Sequence, residues 1–332
     1  MDDFSSANLI FLISQPRSGS TLLQRVLAGH PSIHTTAEPW LMLHPIYALR
    51  SEGYQAEYNA QLAQEALVDF YSALDGGENI YLEAIRRMSL YLYETACRQA
   101  GKQLFLDKTP RYYLIVPELV RLFPQARFIL LLRNPLAVLE SLLRRHVQGY
   151  WPILVHYRND LLVAPRLLNA ASKQVDAQVT VVRYEELVED PQARVTRLCS
   201  WLNLNYNPAM LNYGQRNQPV GNMGDTESVQ HYAAPTKARL AQWRHLGREP
   251  QTRHFAEQYL HALGHNLLAD LGYDYATLQA QLLAEPCGRG EVTVTWDSLF
   301  YADDDSKKRL VYSELALLLY RRAAYRLRKW RE

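Results

Sequence analysis

Apolar residues follow two rhythms along the chain. Short runs of strand length (Leu9–Ile13, Leu104–Leu106, Arg127–Leu132 and Gln178–Arg183) alternate with longer stretches whose apolar positions recur every three or four residues. Runs without polar alternation predict buried parallel strands, and the helical rhythm between them predicts the crossovers that join such strands. The order reads as an α/β protein with a central parallel sheet. Its sharpest join comes first. Leu9–Ile13 meets the polar turn Ser14-Gln15-Pro16-Arg17-Ser18-Gly19-Ser20-Thr21, which runs at once into Leu22, Leu23, Val26 and Leu27 at helical spacing. A strand, small turn and helix start aim free backbone N–H groups and the positive end of the helix dipole into the turn. Arg17 and the hydroxyls of Ser18, Ser20 and Thr21 add donors, so the turn reads as a phosphate cradle.

Further on, Ala28-Gly29-His30-Pro31 ends the first helix, and Ser32–Trp40 is irregular. Pro39 suits the first position of a new helix, with Glu38 at or just before its N-cap. Glu38 therefore has two readings: a carboxylate complementing a helix N-terminus, or a base near the phosphate turn. Residues 41–100 predict a mostly helical insertion broken at Asp75-Gly76-Gly77, its tyrosines core-facing, and able to wall an acceptor pocket. Lys108 stands at the carboxyl end of the Leu104 strand, where open α/β sheets place ligands. Pro117 marks a kink or the true start of the helix within Arg111–Phe123. The strand Arg127–Leu132 ends in Arg133-Asn134-Pro135, with Asn134 as N-cap and Pro135 as first helical residue. Arg133 sets a fixed positive charge beside a helix start that already favours anions.

Helices are expected over 151–171, over Pro191–Leu202, over Lys237–Leu246 and before Leu271-Gly272-Tyr273, with an irregular stretch over 203–234. Glu291–Trp296 alternates like an edge strand. Lys307–Arg331 reads as a basic amphipathic helix that packs on its own domain or on a dimer partner. Residues 1–275 thus form the expected main domain and 276–332 a C-terminal appendage.

Composition narrows the function. With 48% hydrophobic and 21% charged residues among 332, the chain is an ordinary globular protein, and a net charge of +2 leaves no footprint for nucleic acid. Cys97, Cys199 and Cys287 are isolated, which indicates neither a disulfide framework nor a zinc site. No apolar stretch approaches the ~20 residues of a membrane span. The acidic Met1-Asp2-Asp3 start leaves no room for a signal peptide, so a cytoplasmic location is expected.

The turn departs from the nucleoside-triphosphate loop GxxxxGK[ST]. Ser14 replaces the first glycine and Ser20 the lysine. A triphosphate site also needs an acidic strand end for Mg²⁺, and the clearest later strand ends in Arg133 instead. Two separated anionic groups without a divalent ion fit this arrangement better, as in a nucleotide with phosphates on two carbons.

The chain resembles the sulfotransferases that use 3′-phosphoadenosine 5′-phosphosulfate, in the branch with a PRSG[ST]T-type loop that includes protein-tyrosine and bacterial enzymes. The resemblance rests on Pro16-Arg17-Ser18-Gly19-Ser20-Thr21-Leu22-Leu23, Ala37-Glu38-Pro39, Lys108-Thr109-Pro110 and Arg133-Asn134-Pro135 with Ser141 eight residues after Arg133. Tyr184-Glu185-Glu186-Leu187, Leu240-Ala241-Gln242-Trp243 and Leu271-Gly272-Tyr273 complete it. It implies a P-loop-like three-layer α/β/α fold and a metal-independent sulfuryl transfer; the tyrosines of 41–100, 144–171 and the region after 203 suggest a partly apolar pocket that fits a small-molecule acceptor, with a peptide, lipid or sugar also open. It further implies that Arg17, Ser18, Gly19, Ser20 and Thr21 bind the 5′-phosphosulfate, that Arg133 and Ser141 hold the 3′-phosphate, and that Tyr184 approaches the adenosine. Part of 221–229 would close over the nucleotide. Glu38 would take the acceptor's proton, while Lys108 and Arg17 stabilise charge on the bridging oxygen. Many small-molecule sulfotransferases carry a histidine two residues after this lysine. Pro110 stands there instead, which leaves His34, His44 and His146 as rivals to Glu38. A P-loop-like kinase and a nucleotide-binding protein without chemistry are the alternatives.

Overall fold

The computed structural model describes residues 4–53, 56–174, 178–215, 219 and 232–300. Leu9–Ser14 forms the central strand β1, buried along its whole length. Ile33–His34 (β2), Leu104–Lys108 (β3), Arg127–Leu132 (β4) and Gln178–Arg183 (β5) complete a parallel sheet in the order β2-β3-β1-β4-β5. The helices are α1 (Ser20–Leu27), α2 (Leu43–Tyr47), α3 (Ala60–Ser72), α4 (Glu78–Ala100), α5 (Val116–Leu122), α6 (Pro135–Leu142), α7 (Ala164–Ser172), α8 (Tyr184–Glu189) and α9 (Pro191–Trp201). After these come α10 (Pro250–Leu263), α11 (His265–Asp270), α12 (Tyr275–Leu283) and α13 (Trp296–Phe300).

Alternate strand residues leave opposite faces of the sheet, which makes three layers. Leu9, Phe11, Ile13, Phe128 and Leu130 share one core with α4, α5 and α7. Ile10, Leu12, Ile129 and Leu131 share another with α1, α8 and α9. A third core joins α6 to α10, α12 and α13, with Phe255 and Trp296 5.0 Å apart at their ring centres. The three-layer α/β expectation holds. From β1 the chain builds outward to β2 and β3 on one side, then crosses to β4 and β5 on the other. The reversal leaves a crevice at the carboxyl ends of β1, β3 and β4.

Several local expectations do not hold. Pro39 opens no helix: α2 starts at Leu43, because Trp40 adopts φ +54° and breaks the chain direction between them. The stretch read as irregular contains β2, too short to show a pattern. β5 is a half-exposed edge strand rather than a buried one, since β4 is its only neighbour in the sheet. Residues 237–241 are turns followed by a 3₁₀ helix over Gln242–Arg248, whose three-residue period puts Trp243 and Leu246 on one buried side. Glu291–Thr295 forms no strand. Its backbone is held by the amide of Gln251, whose Oε1 accepts from the N–H groups of Thr293 and Val294 while its Nε2 donates to the Val294 carbonyl. Of the insertion's tyrosines Tyr71 and Tyr93 are buried, whereas Tyr58 and Tyr91 are exposed. The expected helix over 307–331 lies outside the described residues.

Candidate active site

The turn after β1 is shaped by two left-handed residues, Arg17 at φ +74° and Gly19 at φ +92°. Gly19 is required on a second count, because a Cβ there would lie 2.5 Å from the Tyr184 ring. Other segments fix the turn in place. The Arg133 Nη1 donates to the Arg17 carbonyl at 2.8 Å, and the Arg17 Nε donates to the Ser141 Oγ at 3.1 Å. The Arg133 guanidinium lies over the Tyr184 ring, 4.2 Å from its centre. Ser14 Oγ, Ser18 Oγ and Arg133 Nε are buried with no hydrogen-bond partner among the described residues.

Lys108 ends β3 with its side chain 1% exposed, yet carries a charge. Its Nζ donates to Glu38 Oε1 at 2.8 Å and to Thr21 Oγ1 at 3.5 Å. The other Glu38 oxygen accepts from the Trp40 Nε1 at 3.1 Å. Over the Trp40 ring, 5.6 Å from its centre, sits the Arg111 guanidinium. Arg111 grips buried Asp160 with two bonds, Nε to Oδ1 at 3.1 Å and Nη2 to Oδ2 at 2.6 Å, and the Tyr113 hydroxyl donates to Asp160 at 2.7 Å. Beneath Lys108, Asp107 accepts from the hydroxyls of Tyr93 (2.7 Å), Thr109 (2.8 Å) and Tyr112 (3.0 Å). Burial pushes the Asp107 carboxyl up to about 6, against those hydroxyls and the Lys108 charge, which favour the ionised form.

The turn, Glu38, Trp40, Arg111, Arg133, Ser141 and Tyr184 line one cavity of about 280 Å³. Eight of the ten residues expected at the site line it. The exceptions are Ser18, buried under the turn, and Lys108, which meets the cavity through Glu38. Of the three histidines only His146 lines it. His34 packs against Phe105 on β2, and His44 is exposed on α2. No described residue of 41–100 lines this cavity.

Residues 9–208 match the model of the sulfotransferase family. The chain belongs to that family. It is 29% identical over 308 residues to the nodulation protein NoeE of Sinorhizobium fredii, covering 84% of this chain and 69% of that protein. It is 28% identical over 217 residues to protein-tyrosine sulfotransferase A of Caenorhabditis elegans, covering 62% of this chain and 52% of that one. The sulfotransferase domain of the Synechococcus PCC 7002 olefin synthase superposes with a TM-score of 0.52 at 28% identity, over 74% of this chain and 90% of the domain. The protein is therefore a sulfotransferase, and the kinase reading falls away.

The sulfotransferase cavity also contains residues that the sequence did not single out. Trp40, Arg111 and Tyr157 wall the Glu38 side; Tyr213 and Arg239 are further lining residues. Adjacency was the available signal for two of them, since Trp40 follows Glu38-Pro39 and Arg111 follows Lys108-Thr109-Pro110. Residues 221–229, expected to cover a nucleotide, lie outside the described residues. Among the described residues no cluster of three or more His, Cys, Asp or Glu is placed to hold a metal ion, and no helix is long and apolar enough to cross a membrane.

Proposed function

We propose that this sulfotransferase moves the sulfuryl group of 3′-phosphoadenosine 5′-phosphosulfate to a hydroxyl or amine of a small-molecule acceptor, by in-line transfer with Glu38 as base. The observation that supports the reading is a cavity with cations on two sides, Lys108 behind Glu38 on one and Arg133 with Arg17, whose Nε donates to Ser141, on the other. The residues fit such a donor. Buried polar atoms are normally partnered, and the Nε of Arg133, which lines the cavity, has no partner among the described residues. The side-chain-free face of Gly19 keeps Tyr184 close enough to flank a nucleotide.

In this reading the turn's N–H groups, with Arg17, Ser20 and Thr21, hold the phosphosulfate at the start of α1. Arg133 and Ser141 hold the 3′-phosphate, and Tyr184 meets the adenosine. When bound, the donor supplies the sulfuryl group and a bisphosphate leaving group. Glu38 takes the acceptor's proton, a step worth ~10²–10⁴-fold. Lys108, within hydrogen-bond reach of both Glu38 and Thr21, keeps positive charge fixed where the leaving oxygen becomes anionic. Trp40 and Tyr157 make the acceptor side partly apolar, which favours a small organic acceptor.

A thermal-shift titration tests the donor. Adenosine 3′,5′-bisphosphate without Mg²⁺ is expected to stabilise the protein by about 2.7 kcal/mol at a hundred times its Kd. Stabilisation by ATP–Mg²⁺ and not by the bisphosphate would refute the proposal. A mass-spectrometric screen for sulfated products then identifies the acceptor.

A further inference from the structure

The helical hairpin α3–α4 is apolar on a side that no described residue covers. α4 buries Leu82, Ile85, Ser89, Tyr93 and Cys97 on one face. Its opposite face carries Ile80, Ala84, Met88 and Leu92 at four-residue steps, all exposed. α3 repeats the pattern with Leu62, Ala66 and Phe70, and of its own residues only Tyr71 is buried. Five residues join the two helices, and Tyr71 packs on Tyr81 between them, so both stripes belong to one hairpin. The large side chains of the stripes are 44% to 65% exposed. Of the twelve large apolar side chains exposed among the described residues, eight fall between positions 58 and 92. A helix apolar on two opposite faces is built to be covered on both.

We propose that the cover is a second copy of this chain, the α3–α4 hairpin packing on its twin about a two-fold axis with α3 of each protomer against α4 of the other. Area is the first argument. With about half of each of its seven large apolar side chains exposed, the hairpin presents on the order of 800 Å², the contribution of one partner to a standard stable interface and more than the usual largest patch of a monomer. Shape is the second. Ala66 and Ala84 sit between larger residues in each stripe, leaving gaps into which facing side chains fit. Charge is the third and sets the pairing. α3 carries Glu65 and Asp69 and no basic residue, whereas α4 balances Arg86, Arg87 and Arg98 against Glu78, Glu83 and Glu94, with Arg86 and Arg87 paired to Glu83 and with Arg87 and Arg98 exposed. Packing α3 on α3 would oppose acids to acids; packing α3 on the neutral α4 avoids this and lets Asp69, beside Phe70, approach the largely exposed Arg87, beside Met88, in a self-complementary interface.

Sedimentation of the full chain over a concentration series is expected to give a species of twice the protomer mass. Phe70→Glu with Met88→Glu changes only exposed positions and is expected to raise the dimer dissociation constant at least ~100-fold. Circular dichroism and bisphosphate-induced stabilisation should stay unchanged. Asp69→Arg alone and Arg87→Glu alone should each weaken the dimer, and the double variant should recover it. In a Cys287→Ser background, mixing Ala66→Cys chains with Ala84→Cys chains should yield a disulfide between different chains. A wild-type monomer throughout the series overturns the proposal, as does a dimer indifferent to Phe70→Glu with Met88→Glu. Cross-links from the hairpin to Lys307 or Lys308 would give the face to the C-terminal segment and likewise overturn it.

Discussion

At the Glu38 end of the cavity the cations are matched, Lys108 by Glu38 at 2.8 Å and Arg111 by the two-bond grip on Asp160. At the other end Arg133 has a backbone carbonyl and a tyrosine ring for company, its Nε buried without a partner among the described residues. A matched pair is nearly neutral at a distance and adds little to anion affinity, but it fixes the orientation of both its members. A half-buried cation without a carboxylate partner does the reverse. It holds its strength for whatever anion enters. The difference teaches a division of labour: orientation for chemistry at one end, affinity at the other.

The largest effect that can break this division is at Glu38. Glu38→Gln is expected to lower kcat by ~10²–10⁴-fold while bisphosphate affinity, followed by calorimetry, stays within about twofold. Retained turnover would transfer the role of base to His146, the rival histidine that lines the cavity.

Asp107 supplies the next effect, because this carboxylate at the matched end is held by hydroxyls rather than by a cation in contact. The folded protein keeps its proton up to about pH 6, whereas the unfolded chain releases it near ~4. Stability should therefore fall as pH rises through that window, by about 3 kcal/mol, and level off above it. Asp107→Asn should flatten this segment of a urea-denaturation pH series. An unchanged slope would place the titration elsewhere.

At the unmatched end, Arg133→Ala should weaken adenosine 3′,5′-bisphosphate binding ~10–100-fold and 5′-AMP binding much less. Equal losses would show that Arg133 does not distinguish the second phosphate. The smallest effect is expected for Trp40→Phe, which keeps the ring under Arg111 and removes the N–H on Glu38. A three- to tenfold fall in kcat (roughly one hydrogen bond), with bisphosphate affinity unchanged, would assign Trp40 to orienting the carboxylate. A matching loss of bisphosphate affinity would blur the two ends.

Much of this arrangement was legible in the sequence. β4 was readable residue for residue because every position between Arg127 and Leu132 is apolar, which only a strand buried on both faces tolerates. Asn134 and Pro135 announced α6 by local chemistry, and the Asn134 side chain does accept from the Leu136 N–H. Glu38 was placed correctly beside the turn but in the wrong local structure. Proline's preference for a first helical turn was overridden by the partners of Glu38 and Trp40, which lie some 70 residues away at Lys108 and Thr109. The grip of Arg111 on Asp160 spans 49 positions and carries no periodic mark. The same holds for Gln251 and the segment it fastens 42 residues on.

The contact between Gly19 and Tyr184 bears on how the protein is made. The phosphate turn leaves the ribosome about 165 residues ahead of the Tyr184 ring that closes over Gly19, which emerges only after β5. Arg133, which fastens the turn through the Arg17 carbonyl, arrives between them. A nascent chain that stops before Tyr184 thus owns the loop sequence without owning the pocket, and the donor can lend no stability to the growing protein until the last strand has joined the sheet.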